Sequence, residues 1–230
     1  MENNICIIGN SHISQFDSEN LDNIYGYGAS IFGLLNENSH LKLKDQILEY
    51  QKINPHKIFI FFLGQTDIEF IYYYKCVLQN KKIDIKLYID DLIRKYIFFV
   101  KTYITNDFIF LGINPHVIKD INHIFNINFR NPENGDINGE YKSDINFTDY
   151  EYIYNSTYED RFKYNLDFNE NLKNECIKNN IKFCDLTKYI LNNNYEVKKE
   201  YMPIIDDHHL IKSKTLYMNL IHEINLFYKL

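Results

Sequence analysis

Ser11 stands two residues past Gly9, at the end of the apolar run Ile5-Cys6-Ile7-Ile8, and His12 follows it. Near the other end of the chain comes Asp206-Asp207-His208-His209-Leu210. A serine hydroxyl is a poor nucleophile until a neighbouring base takes its proton, and an imidazole does this best when a carboxylate holds its tautomer. Ser11 as nucleophile, His209 as base and Asp206, three positions before it, as orienting carboxylate are the residue types that covalent acyl chemistry needs. His208 competes for the role of base, because Asp206-x-His208 is a shorter spacing of the same kind; the three-residue spacing favours His209. The bland alternatives are a Ser11 hydroxyl that only caps the next helix and a His209 bonded only to Asp206. The four residues from Asp206 to His209 also have metal-ligating chemistry, but no further ligand clusters with them in the sequence, so no metal is expected.

These two blocks need a scaffold that joins the chain ends. Ile5–Ile8, Lys57–Leu63, Asp107–Leu111 and Ile181–Asp185 are short apolar runs that read as strands. The longest, Lys57-Ile58-Phe59-Ile60-Phe61-Phe62-Leu63, is continuously apolar, as a central parallel strand buried on both faces should be. Between them, 12–20, 41–53, 85–103 and 161–179 carry apolar residues at helical spacing, and Asp206–Leu210 is expected to open a closing helix through Leu216, Leu220 and Ile224. Alternating strands and helices predict a single α/β domain over residues 1–230, a three-layer α/β/α sandwich around a mostly parallel sheet. In such sheets sites form beyond the carboxyl ends of the strands, where Ser11 stands. The stretch from about 130 to 158 is rich in Asn, Asp, Glu, Gly and Tyr without periodicity, and is expected to be a polar insertion or lid. Tyr72-Tyr73-Tyr74 reads as core and rim packing more than as a sugar platform.

Composition excludes several classes. With 230 residues and 45% hydrophobic content the chain can bury a sizeable core. A formal net charge of −6, with lysines only in scattered pairs, argues against a nucleic-acid surface. The four cysteines have no paired spacing that would mark a zinc or disulfide framework. The first residues lack the basic and apolar regions of a signal peptide, and no apolar run is long enough to span a membrane, so a cytoplasmic protein is expected. The final helical segment is also compatible with a piece of a larger multidomain chain.

The Gly-x-Ser block, the loop glycine at Gly28, the strand-end Gly64-Gln65-Thr66-Asp67 and the Asp206-x-x-His209 block follow the order of the SGNH (GDSL-like) hydrolase superfamily, which the chain resembles over nearly its whole length. The resemblance implies an SGNH-hydrolase-like, flavodoxin-like fold, with Ser11 as nucleophile, His209 as base and Asp206 as its partner. It places the backbone N–H groups of Ser11 and Gly28 at the oxyanion. Two positions depart from the family pattern. Asn10 stands where Asp is usual in the first block, and Thr66 stands where an Asn side chain would donate to the oxyanion. The Thr66 hydroxyl and the Gln65 amide are the candidate replacements. Asp67 is expected to anchor its loop by hydrogen bonds, and His12 either contacts substrate or is structural.

More narrowly, Gly64-Gln65-Thr66-Asp67 with Tyr72-Tyr73-Tyr74-Lys75, Ile113-Asn114-Pro115 and Asp207-His208-His209-Leu210 resembles SGNH-type proteins of polysaccharide and glycan biosynthesis. On that resemblance the expected function is acetyl transfer to a sugar or nucleotide-sugar, with acetyl-CoA as acyl donor. The alternative is a carbohydrate or small-ester esterase or deacetylase using the same residues. A third reading, from another class, is a glycan-binding module whose serine is unused.

Overall fold

The structure is a computed structural model that describes residues 4–18, 21–129, 145–203 and 207–228. Five strands form one sheet: β1 (Ile5–Gly9), β2 (Asp22–Tyr25), β3 (Ile58–Phe62), β4 (Phe108–Leu111) and β5 (Lys182–Cys184). Their order is β2-β1-β3-β4-β5, and every neighbouring pair is parallel. This is the α/β architecture the sequence predicts, with one strand more than its apolar runs reveal. β2 escapes that reading because it is an edge strand. Along Asp22-Asn23-Ile24-Tyr25 only Ile24 is buried, so no continuous apolar run marks it. Tertiary contacts hold it instead: Asp22 accepts a hydrogen bond from Tyr50 Oη at 2.6 Å and an ion pair from Lys57 Nζ at 2.5 Å.

The pleat sorts the central strands into two cores. Cys6, Ile8, Phe59, Phe61 and Phe110 face one cluster, which also takes in Leu43 and Ile47 of α2 (Leu43–Ile53), Leu92 and Tyr96 of α4 (Ile85–Tyr103), and Phe168 and Leu172 of α6 (Tyr158–Lys178). Ile5, Ile7, Ile60, Phe62 and Ile109 face the other, with Ile190 of α7 (Thr187–Ile190) and Leu216, Leu220 and Ile224 of α8 (Lys214–Tyr228). Two short helices, α1 (Ile31–Leu34) and α3 (Tyr72–Leu78), and α5 (Ile121–Phe129) complete the first layer. Among the described residues no helix is long and apolar enough to cross a membrane.

Three local differences from the sequence expectation have physical causes. The segment after His12 closes only a 3-10 turn, Ser11–Gln15, before Phe16 bridges to Ser213. The closing helix starts at Lys214 rather than in the Asp-His block. Ser213 N donates to Gln15 O at 2.8 Å and Ile211 N to Tyr201 O at 3.0 Å, which hold 207–213 out of a helix; Ser213 Oγ then caps it by accepting from Leu216 N. Of the stretch expected as a polar lid, 130–144 lies outside the described residues. Residues 145–157 pack against the core: Ile153 and Tyr154 are buried, Tyr154 stacks on Tyr73 at 5.0 Å, and Ser156 Oγ bonds Tyr73 Oη at 2.7 Å. Tyr72 and Tyr73 are fully buried, as packing residues should be.

Strand order reverses between β1 and β3, so the crevice beyond their carboxyl ends is the switch point where open α/β sheets hold ligands. Gly9 ends β1 there because a Cβ at that position would sit 2.4 Å from Phe62 O of β3. Gly9→Ala is therefore expected to destabilise the fold by about 1–3 kcal/mol, the range of overpacked core substitutions, measured as a lower denaturant midpoint.

Candidate active site

Asn10 caps the 3-10 turn: its Oδ1 accepts from His12 N at 3.0 Å. Ser11, as the first residue of that turn, has an N–H with no intrahelical partner and a half-buried side chain. The turn projects Ser11 Oγ to 2.7 Å from His209 Nε2. On the other side of the ring, His209 Nδ1 lies 2.7 Å from Asp207 Oδ1, which also accepts from His209 N at 3.1 Å. An Nδ1–H donated to Asp207 leaves Nε2 as acceptor for the serine proton, the tautomer a general base requires. Burial alone pushes the Asp207 carboxyl up, but the His209 hydrogen bonds and the two neighbouring histidines hold it below the ordinary carboxylate value. It therefore stays ionised opposite the imidazole.

Among the described residues the carboxylate on His209 is Asp207, in an Asp-x-His spacing, where the sequence points to Asp206. Asp206 itself lies outside the described residues. Of the two histidines, His209 meets Ser11. His208 packs edge-on against Phe70, and burial and the adjacent His209 push it down to about 4. His12 is buried against both, with ring centroids 4.6 Å from His209 and 5.3 Å from His208. Burial first, then the two histidines, lower its basicity well below the ordinary value.

The other wall of the crevice is the β3 end. Gly64 has φ +120°, and a Cβ there would strike Phe168 Cζ at 2.6 Å, so only glycine makes this bend. After it comes a π-helical turn, Asp67–Ile71, a geometry common at functional sites. Thr66 Oγ1 accepts from Asn10 Nδ2 at 3.0 Å, which ties the two walls and leaves the Thr66 hydroxyl hydrogen free to donate. Asn10 is spent on this tie and on capping. Gln65, the other candidate replacement, is fully buried with its amide engaged by neighbours. Its Nε2 donates to Glu69 Oε1 at 2.7 Å and its Oε1 accepts from Asn114 N at 2.8 Å. Gly28, exposed with φ +72°, lies in the turn after β2, where an added Cβ meets only open space.

Asp67 anchors that turn. Its buried carboxylate accepts from Ile31 N at 2.8 Å and Phe32 N at 3.2 Å. Burial pushes it up to about 7, opposed by these hydrogen bonds. A second set of polar residues, which the sequence reading missed, lies behind Gln65. Glu69 Oε1 accepts from Gln65 and from Asn165 Nδ2 at 3.0 Å and meets His116 Nδ1 at 2.8 Å. Arg161 Nε donates to His116 Nε2 at 3.0 Å, and Asn114 Nδ2 reaches Gln15 Oε1 in the nucleophile turn at 2.7 Å. They come from separate parts of the chain, the Ser11 turn, the β3 end, the segment after β4 and α6, and no spacing signals their meeting.

No protein-family model matches the chain, and no curated protein matches its sequence. Solved structures match by shape. A Bacteroides fragilis NCTC 9343 protein, named provisionally as an acylhydrolase, superposes with a TM-score of 0.52 at 14% identity, covering 97% of this chain and 86% of its own. A GDSL-like lipase from Bacteroides thetaiotaomicron VPI-5482 does so with a TM-score of 0.50 at 11% identity, covering 100% of this chain and 90% of its own. The fold is therefore the single parallel-sheet α/β fold of SGNH (GDSL-like) hydrolases.

Two outcomes test the site. Asp207→Asn should cut kcat for an activated acetyl ester by about 10⁴, the cost of losing the tautomer-holding carboxylate. Asp67 binds a proton more tightly in the folded chain than in the unfolded one. Its contribution to stability is therefore full below the ordinary carboxylate value near 4 and is lost as pH rises towards about 7. Melting temperatures from pH 4 to 8 should show this decline in the wild type and lack its Asp67 component in Asp67→Asn.

Proposed function

We propose that this protein is a serine esterase that cleaves small acyl esters through an acyl-enzyme. The observation that carries the reading is the continuous chain Ser11 Oγ–His209 Nε2 and His209 Nδ1–Asp207, each link 2.7 Å. Ser11 Oγ attacks the ester carbonyl as its proton passes to His209 Nε2, and Asp207 stabilises the cation formed. The Ser11 and Gly28 N–H groups and the Thr66 hydroxyl are the candidate donors to the oxygen that becomes negative; one such donor is typically worth about 10²–10³ in rate. The tetrahedral intermediate collapses, the leaving alkoxide takes the proton from His209, and water attacks the acyl-serine by the same route.

A second reading, acetyl transfer to a sugar, shares every step up to the acyl-enzyme and differs only in the hydroxyl that resolves it. What favours a sugar is Tyr25 and Tyr27, 48% and 76% exposed, with ring centroids 6.1 Å apart. Tyr25 pairs with Gly9, two residues before the nucleophile. Exposed aromatic faces at the mouth of a site suit the apolar face of a sugar ring.

The test is rapid-quench mass spectrometry with p-nitrophenyl acetate, acetylated sugars, and acetyl-CoA plus hydroxy-sugars and sugar nucleotides. An acetyl group on Ser11, with turnover falling at least about 10³ in Ser11→Ala, is the expected result. Free acetate as product makes water the acceptor, and an acetylated sugar establishes transfer. A Ser11→Ala variant that keeps the wild-type rate, or no product while sugar still binds, overturns the catalytic reading.

A further inference from the structure

Two imidazoles at this site have no part in the proton transfer. His12, from the nucleophile turn, and His208, beside the base, crowd His209; the His208 and His209 rings lie 3.9 Å apart between centroids. One ring nitrogen from each of the three lies within 4.8 Å of the others. His12 Nδ1 is buried and takes no hydrogen bond among the described residues, although buried polar atoms are almost always partnered. The Asp-His block lacks a further ligand in the sequence; the fold supplies one from the opposite end of the chain.

We propose that His12, His208 and His209 form a binding site for a divalent transition-metal ion, zinc above all, whose occupancy draws His209 away from Ser11. Three imidazole nitrogens with an open fourth position are a zinc donor set. Zn–N bonds of about 2.0–2.1 Å place tetrahedral ligand atoms about 3.4 Å apart, so the three rings must close in by side-chain rotation. The His209 bond to Ser11 is the contact that yields if Nε2 is the ligating nitrogen. Asp207, 2.7 Å from His209 Nδ1 and 3.4 Å from His208 Nδ1, is placed as the outer carboxylate that orients such ligands. Zinc is then a reversible inhibitor of the serine chemistry, because it occupies the base.

Calorimetric titration of the untagged, chelator-stripped protein with zinc chloride tests this, and it reads binding whether or not Ser11 proves to be a nucleophile. One ion per chain is expected. His208→Gln and His12→Asn should each weaken binding at least about tenfold, a loss that outer-sphere partners alone can cause. Ser11→Ala removes the bond that competes for His209 and should bind zinc at least as tightly as the wild type. His208 is only partly buried, so His208→Gln decides the matter if His12→Asn fails to fold by circular dichroism. No zinc binding to the wild type, or an affinity unmoved in His208→Gln, overturns the proposal.

Discussion

The hydrogen bond between Ser11 and His209 joins positions 198 residues apart, and most of the architecture bears on keeping it short. Two segments carry the pair, the 3-10 turn after β1 and the irregular run before α8. They are fastened to each other a few residues away, where Phe16 bridges to Ser213 and Ser213 N donates to Gln15 O. Neither segment is in the sheet, so their placement depends on what lies under them. β1 is buried on both faces, and α8 lays Leu216, Leu220 and Ile224 on the same side of the sheet as Ile5 and Ile7. Closing so long a loop costs entropy that grows only slowly with its length. The two apolar cores supply the offsetting free energy, and the Ser11–His209 pair inherits its geometry from them.

The second wall of the crevice is held by polar contacts rather than apolar ones. Gln65, Glu69, Asn114, His116, Arg161 and Asn165 are all buried and bonded to one another just behind the strand ends. Glu69 Oε2 and Asn165 Oδ1 are left without a hydrogen bond among the described residues, but the bonds the six do make polarise one another and favour this arrangement. Through Asn114 it reaches Gln15, and through Asn10 the β3 end is tied to the cap of the nucleophile turn. These bonds tie the β3 end to the Ser11 turn, the kind of preorganisation that the proposed acyl chemistry needs. The Thr66 hydroxyl fits this scheme: it accepts from Asn10 and still has a hydrogen to give.

Much of the scaffold was legible in the chain because buried parallel strands demand continuous apolar runs. Ile58–Phe62 and α4 sit where those patterns place them. β2 was not legible, since an edge strand half exposed to solvent needs no such run and is held by Asp22 contacts to Tyr50 and Lys57. Nor was the start of α8, where apolar spacing continued back into the Asp-His block but backbone bonds from Ile211 to Tyr201 and from Ser213 to Gln15 kept residues 207–213 out of the helix.

For the chemistry, residue type and order alone singled out Ser11 and His209, because few side chains can make or use an activated oxygen and they stand at opposite chain ends. Which carboxylate meets the ring was decided by tertiary structure. Asp206 and Asp207 are adjacent and chemically identical, and only the backbone path of the loop sets which one reaches Nδ1; the described carboxylate there is Asp207. The meeting of His12 with His208 and His209, and of Glu69 with His116 and Arg161, likewise has no trace in local spacing. Periodicity records which face of an element is buried. Contacts between side chains far apart in sequence depend on how those faces are stacked, and that is settled only when the sheet and its helices come together.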